Sequence, residues 1–166
     1  MQTLSLRGSV LEEVVQTFVP FKCYVKSAKA LDRARLGKQR VECIQILNCL
    51  SPEYDKEGWK NHPAVKMWKG HEGALARYGL ACVEEWVSRG YRDFKCRPQL
   101  QAYADSYKDE TQPEWFGDDR VHLSHKSNLL RKDPKHYGPL FPDVPNDLPY
   151  FWPTAEKATK KEEENA

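Results

Sequence analysis

Apolar positions recur at helical spacing through the first half of the chain. At 100° per residue, Leu36, Val41, Cys43, Ile44 and Leu47 fall on one broad side. The pattern predicts a helix from about Ser27, read as its N-cap, to Leu50, with Ser51-Pro52 ending it. A second stripe of Ala64, Met67, Trp68, His71, Leu75, Tyr78, Cys82 and Trp86 runs from His62-Pro63, where proline suits the first helical position, to Arg89-Gly90. His71 lies inside that stripe and reads first as a hydrogen-bonded core histidine, with substrate contact as the alternative.

Residues 91–117 are less periodic, because Pro98, Pro113 and Gly117 break any long element, and only a short helix over Pro98–Tyr107 is expected. Trp115-Phe116 either closes over the core or stacks on a base; closure is favoured. A third long helix is predicted to start after Asp118 or Asp119 and to stop near Asp133-Pro134. On it Val121, His125, Asn128, Leu129 and Lys132 face one way, and Lys126 and Leu130 another. Tyr137–Pro142 and Leu148–Pro153 are too proline-rich for long helices and should wrap the bundle with aromatic anchors. The expected fold is all-α, a compact helical single domain.

Length and composition narrow this reading. A chain of 166 residues is long enough for one sizeable core and short for two, and 40% apolar with 11% aromatic content argues for a folded protein. The expected organisation is an appendage over 1–15, a helical body over 16–153, and a charged tail over 154–166. Cysteines at 23, 43, 49, 82 and 96 include no CxxC pair and read as small apolar fillers in a reducing compartment. With no long apolar run and no signal-like start, a soluble cytoplasmic protein is expected.

Charge changes the picture more. The formal total is only +2, but Lys22–Arg40 holds seven Lys or Arg against one acid, and Arg120–His136 holds five against one. These two windows are where a polyanion would bind. If they meet in space, Arg33, Arg35, Lys38, Arg40, Lys126, Arg131 and Lys132 supply donors for phosphate oxygens, while Asn61, Asn128, Tyr137 and nearby aromatic rings suit bases, and His62, at a loop-to-helix junction, is placed to face the nucleic acid. Two ordinary solvated faces are the bland alternative. Arg33 and Arg40 fall seven apart within the apolar side of the first helix. They must therefore find partners, emerge at a groove, or contradict that assignment. On the other side Arg35, Lys38 and Glu42 form a polar stripe, in which Glu42 could simply neutralise Lys38. Gly37, costly in a helix interior, hints at a close backbone approach.

Candidate reaction chemistry is limited. His122 and His125, even with Asp118 and Asp119 nearby, make an incomplete metal-ligand set, and no Walker loop, dinucleotide fingerprint or HExxH run is present. No cofactor or metal is predicted. Base excision suits the remaining groups: Lys38 as an amine for a Schiff base at the sugar, and Glu42, His125 and His136 for proton transfer. Lys38 as a simple phosphate contact, with Glu42 orienting it, is equally compatible.

The run Leu31-Asp-Arg-Ala-Arg-Leu-Gly-Lys-Gln-Arg-Val-Glu42, followed by Asn61-His-Pro-Ala-Val-Lys-Met-Trp-Lys-Gly70, Trp115-Phe-Gly-Asp118 and Ser124-His-Lys-Ser-Asn-Leu-Leu-Arg-Lys-Asp-Pro-Lys-His-Tyr137, resembles a divergent bacterial and phage branch of the pyrimidine dimer DNA glycosylase, or phage endonuclease V, family. The resemblance spans about residues 16–153. It implies a mostly helical fold, double-stranded or locally opened DNA as the partner, and glycosylase with abasic-site lyase chemistry on damaged or modified pyrimidines. In the characterised branch the nucleophile is the α-amine of an N-terminal threonine, assisted by a glutamate in the first major helix. Here Met1 precedes Gln2, whose size disfavours methionine removal, and Thr17 is internal. Aligning Leu31–Arg40 puts Gly37 at the glutamate position, with Glu42 more than a turn away, and carries over only Arg40 as a DNA contact. A noncatalytic nucleic-acid-binding protein on the same fold is the second expectation. Charge by itself leaves RNA and free nucleotides open as ligands, and neither a membrane nor an obligate protein partner is expected.

Overall fold

The computed structural model describes residues 15–53 and 61–153, so the predicted appendage, apart from Val15, and the predicted tail lie outside the described residues. Seven helices are present among them: α1 (Tyr24–Ala30), α2 (Arg33–Leu50), α3 (Pro63–Lys66), α4 (Glu72–Ser88), α5 (Cys96–Ser106), α6 (Asp119–Lys132) and α7 (Pro134–Tyr137). No strand occurs in the described residues, in keeping with the all-α expectation. No helix among them is long and apolar enough to cross a membrane.

The predicted helix from Ser27 to Leu50 is two helices. The chain turns extended at Leu31 and Asp32, and the Asp32 side chain caps α2 by accepting from the Arg35 N–H. Tyr137 locks the break from the far end of the chain: its hydroxyl accepts from Asp32 N at 2.9 Å and donates to the Asp32 carboxylate. Buried Ser27 is therefore no cap; its hydroxyl bridges the Phe21 backbone at 3.1 Å to each polar group. On α2, Leu36, Cys43, Ile44 and Leu47 are buried as expected, but Val41 is 43% exposed. Glu42 is buried instead. The buried arc is thus rotated from the one read off apolar residues, because polar Gln39 and Glu42 face the interior toward residues 15–20.

The second predicted helix is also interrupted. After α3 the chain makes a turn through Gly70, whose φ of +82° is a left-handed conformation that glycine tolerates at no steric cost. His71 then sits at the N-cap of α4, half-buried, with its Nδ1 3.0 Å from the Thr111 carbonyl. It is not a core histidine. The apolar stripe nevertheless survives the break: Ala64, Met67, Trp68, Leu75, Tyr78 and Cys82 are all buried. Trp68 packs edge-on to Trp115 at 5.0 Å, and Trp115 donates to the Met67 carbonyl at 2.8 Å, so the Trp115 segment closes the core. Each such ring removed from water contributes on the order of 1.5–3 kcal/mol.

Helix α5 begins at Cys96, two residues before Pro98, and α6 runs as expected with Asp118 as its cap. On α6 Val121, His125, Asn128 and Leu129 are buried on one face as expected, but Lys132 at its end is exposed, and Leu130 is buried beside Phe141 and Val144 of the wrapping segment. Where α2 passes α4, a Cβ on Gly37 would lie 3.1 Å from the Trp86 ring, so the hinted close approach is real.

Candidate reaction pocket and nucleic-acid interface

Residues 15–20 belong to no helix or strand and are buried between α2 and α6. A buried segment outside regular structure must find partners for its backbone elsewhere, and side chains supply them. Gln16 N donates to Glu42 Oε2 at 2.6 Å, Phe18 N to Gln39 Oε1 at 2.8 Å, and Gln39 Nε2 returns a bond to the Gln16 carbonyl at 3.1 Å. Val19 N donates to His125 Nδ1 at 2.9 Å. Thr17 Oγ1 accepts from Trp68 Nε1 at 2.9 Å, and the Tyr78 hydroxyl donates to the Phe18 carbonyl.

Beside this segment opens a pocket of about 160 Å³. Gln16, Phe18, Ala34 and Tyr150 form its walls, Glu42 contributes a carboxyl, and Arg35, Lys38 and Lys132 bring three cations. Burial pushes the Glu42 carboxyl up to about 7, against the opposing pull of the Gln16 N–H and of the Lys38 and Lys132 charges. Lys132 is moved the other way: partial burial first, then the charges of Arg35, Lys38 and Arg131, lower its ammonium below the ordinary lysine value, with Glu42 opposing. Burial also raises the Tyr150 hydroxyl to about 12, so it stays neutral. The pocket therefore holds an acid poised near neutrality and an amine eased toward its neutral form. Such a pair suits proton transfer and nucleophilic attack.

Of the residues singled out from sequence, the pocket brings together Arg35, Lys38, Glu42 and Lys132. The others lie elsewhere. His125 is fully buried between Phe18 and Tyr150, and burial pushes its imidazole down to about 3. Its Nδ1 lone pair is engaged by Val19, which gives it a positioning part in the fold of the 15–20 segment. His122 does the same work, its Nδ1 2.7 Å from the Val19 carbonyl and its Nε2 accepting from Gly117 N at 2.9 Å, so Nδ1 carries the proton. Among the described residues no cluster of three or more ligating side chains could hold a metal ion. His136 Nε2 is 2.9 Å from the Ala30 carbonyl.

The arginines divide. Arg40 pairs with the fully buried Asp93 carboxylate and lies 4.2 Å over the Trp86 ring; Arg33 emerges, its guanidinium 5.9 Å from the Tyr91 ring. Arg131 clamps the wrapping segment by donating to the Asn146 and Leu148 carbonyls at 2.7 and 2.8 Å, and Asn128 joins it. Lys126 rests 4.7 Å above the Phe21 ring. Tyr137 is the buried partner of Asp32, and His62 caps α3 by accepting from Ala64 N at 3.1 Å.

Sequence reading missed Gln16, Phe18, Ala34 and Tyr150 as pocket walls. The period-two placement of Gln16 and Phe18 ahead of Pro20 was the available signal. For Ala34 there was none. Gly37, aligned with the expected glutamate, faces Trp86, while Glu42 is the carboxyl that reaches the 15–20 segment.

Residues 15–96 match the family model described as Pyrimidine dimer DNA glycosylase. No curated protein and no solved structure matches the chain.

Proposed function

The chain belongs to the pyrimidine dimer DNA glycosylase family through residues 15–96, and on that premise we propose that it excises damaged or modified pyrimidines from DNA at the Glu42 pocket. One observation carries the reading: a buried carboxyl, poised near pH 7, opens into a small cavity bordered by Arg35, Lys38 and Lys132. The cations bind phosphates on either side of the target nucleotide, and the cavity accepts a locally extruded group from the duplex. Glu42 in its neutral form protonates the departing base and, once ionised, takes up a proton from the sugar. The substrate is double-stranded DNA opened at the lesion, and the setting is intracellular.

The noncatalytic reading has one observation in its favour. Thr17 is internal and its hydroxyl is tied to Trp68, so among the described residues no threonine α-amine faces the cavity. Turnover decides between them. The full chain should release base from a duplex carrying a single thymine dimer or an oxidised pyrimidine, and Glu42→Gln should lose at least tenfold in rate with unchanged DNA affinity. Tight, salt-dependent binding without base release from any lesion would leave only the binding protein.

A further inference from the structure

Phe94 is the most exposed large apolar side chain among the described residues, at 76%, and it lies outside the Glu42 pocket. A lone exposed phenyl is common on protein surfaces. This one differs in how the chain holds it. The loop between α4 and α5 is pinned at three consecutive residues. The Tyr91 ring lies 4.4 Å from the Trp86 ring, and its N–H donates to the Trp86 carbonyl at 3.3 Å. The Arg92 carbonyl accepts from Trp86 Nε1 at 2.9 Å. The Asp93 carboxylate accepts from the Arg40 guanidinium and, at 2.9 Å, from Arg97 N. Phe94 follows directly, so its ring is displayed from a backbone already fixed, and a ligand that covers it meets little ordering cost.

The charge around the ring is one-sided. Every acid of this loop and of the end of α4 is already matched: Asp93 by Arg40, Glu85 by Arg89 and Glu84 by Arg97. Among the described residues no acid pairs with Arg33, Arg92 or Lys95, and all three are exposed. Arg33 leans over Tyr91, its guanidinium 5.9 Å from the ring centre, which brings that cation to the same loop. A displayed ring among uncompensated cations is the combination that binds single-stranded nucleic acid, since bases stack on the ring while phosphates meet the charges.

The position of the loop favours a single strand over a duplex. Arg33 and Arg40, against which it packs, leave α2 on the side roughly opposite Lys38 and Glu42. A straight duplex seated at the Glu42 pocket therefore lies on the other side of that helix from Phe94. Within a duplex, moreover, each base face is covered by its neighbours, whereas an unpaired base offers a free face to the phenyl. We propose that Phe94, with Arg33, Arg92 and Lys95, forms a second DNA contact, which stacks an unpaired base of single-stranded DNA. This contact takes from the base-excision reading only the choice of DNA as ligand.

The test measures binding of the full chain to a short labelled oligodeoxythymidine and to an intact duplex by fluorescence anisotropy. Phe94→Ala should weaken single-strand binding by about fivefold or more, and Phe94→Trp should hold it within about twofold. Both variants should bind duplex and release base as wild type does, with an unchanged urea midpoint because the ring lies outside the core. Irradiating the complex with an oligonucleotide carrying 5-iododeoxyuridine should give a crosslink on the peptide containing Phe94, a product of direct contact. No single-strand binding by the wild type, or wild-type binding by Phe94→Ala, overturns the proposal. So does a change in sedimentation of Phe94→Ala with strand binding intact, which would make the ring a contact between copies of the chain. Absence of base release from lesion DNA, with the Phe94 effect present, removes the Glu42 reaction and leaves this contact standing. Base release without a Phe94 effect does the reverse.

Discussion

Replacing Glu42 by glutamine should change how stability depends on pH by a predictable amount. Glu42 is only 7% exposed, and burial raises its carboxyl from 4.5 to about 7. At about 1.4 kcal/mol for each tenfold change in proton affinity, ionising it inside the fold costs about 3 kcal/mol. The sign follows from proton counting. Between pH 4.5 and about 7 the folded protein holds a proton that the unfolded chain has released, so wild-type stability from this group falls as pH rises through that window. Glutamine has no such proton. Urea unfolding of both proteins at pH 4.5, 6 and 8 should therefore show the variant gaining on wild type by about 3 kcal/mol across the range. The offset at pH 4.5 reports the changed bond to Gln16 N and does not affect the slope. Parallel curves, with a difference constant to within about 0.5 kcal/mol, would mean that Glu42 is hydrated and ionised in the fold, and the poised acid would be lost from the mechanism.

His125 should stay neutral far below the usual range, since it is depressed to about 3; imidazole nitrogen shifts that stay flat from pH 8 to 5 would agree, and a midpoint above 6 would not. The associated stability is fully present above pH 6.5 and is lost as pH falls toward 3, so it runs opposite to that of Glu42. Arg40→Ala strands the fully buried Asp93 carboxylate and should cost roughly 3–5 kcal/mol in urea unfolding; Asp93→Asn in the same background should recover much of it. A loss below about 1 kcal/mol would show the pair to be solvated. Lys38→Ala should weaken DNA binding regardless of lesion and lower the slope of log affinity against log salt by about one; an unchanged slope would remove Lys38 from the phosphate contacts.

Much of the helical scaffold was legible because local patterns carry it. The Trp68–Trp86 stripe, the Asp118 cap and the stop at Ser51-Pro52 depend on neighbours within a turn or two. The break at Asp32 was not legible in the same way, although Asp is a good cap, because no proline or glycine marks it and Ser27 offered an earlier cap. Its decisive partner, Tyr137, stands 105 residues away. The basic windows were read as one class of residue, yet the fold divides them. Arg35, Lys38 and Lys132 reach the cavity, while Arg40 and Arg131 are consumed by Asp93 and by backbone carbonyls. No pattern in charge alone separates a cation that faces a ligand from one that holds a loop.

The sequence by itself determined that this is a helical protein with two basic stretches, the resemblance carried by its motifs, and the carboxyl and amines available for chemistry. Tertiary structure decided which of them meet. Helical periodicity gives only the angle at which a side chain leaves its helix; what lies in that direction depends on the other elements. Glu42 left α2 at an angle that read as solvent, and it became a buried acid because the 15–20 segment lies there and must bond its amides to side chains from α2 and α6, 21 to 106 residues away.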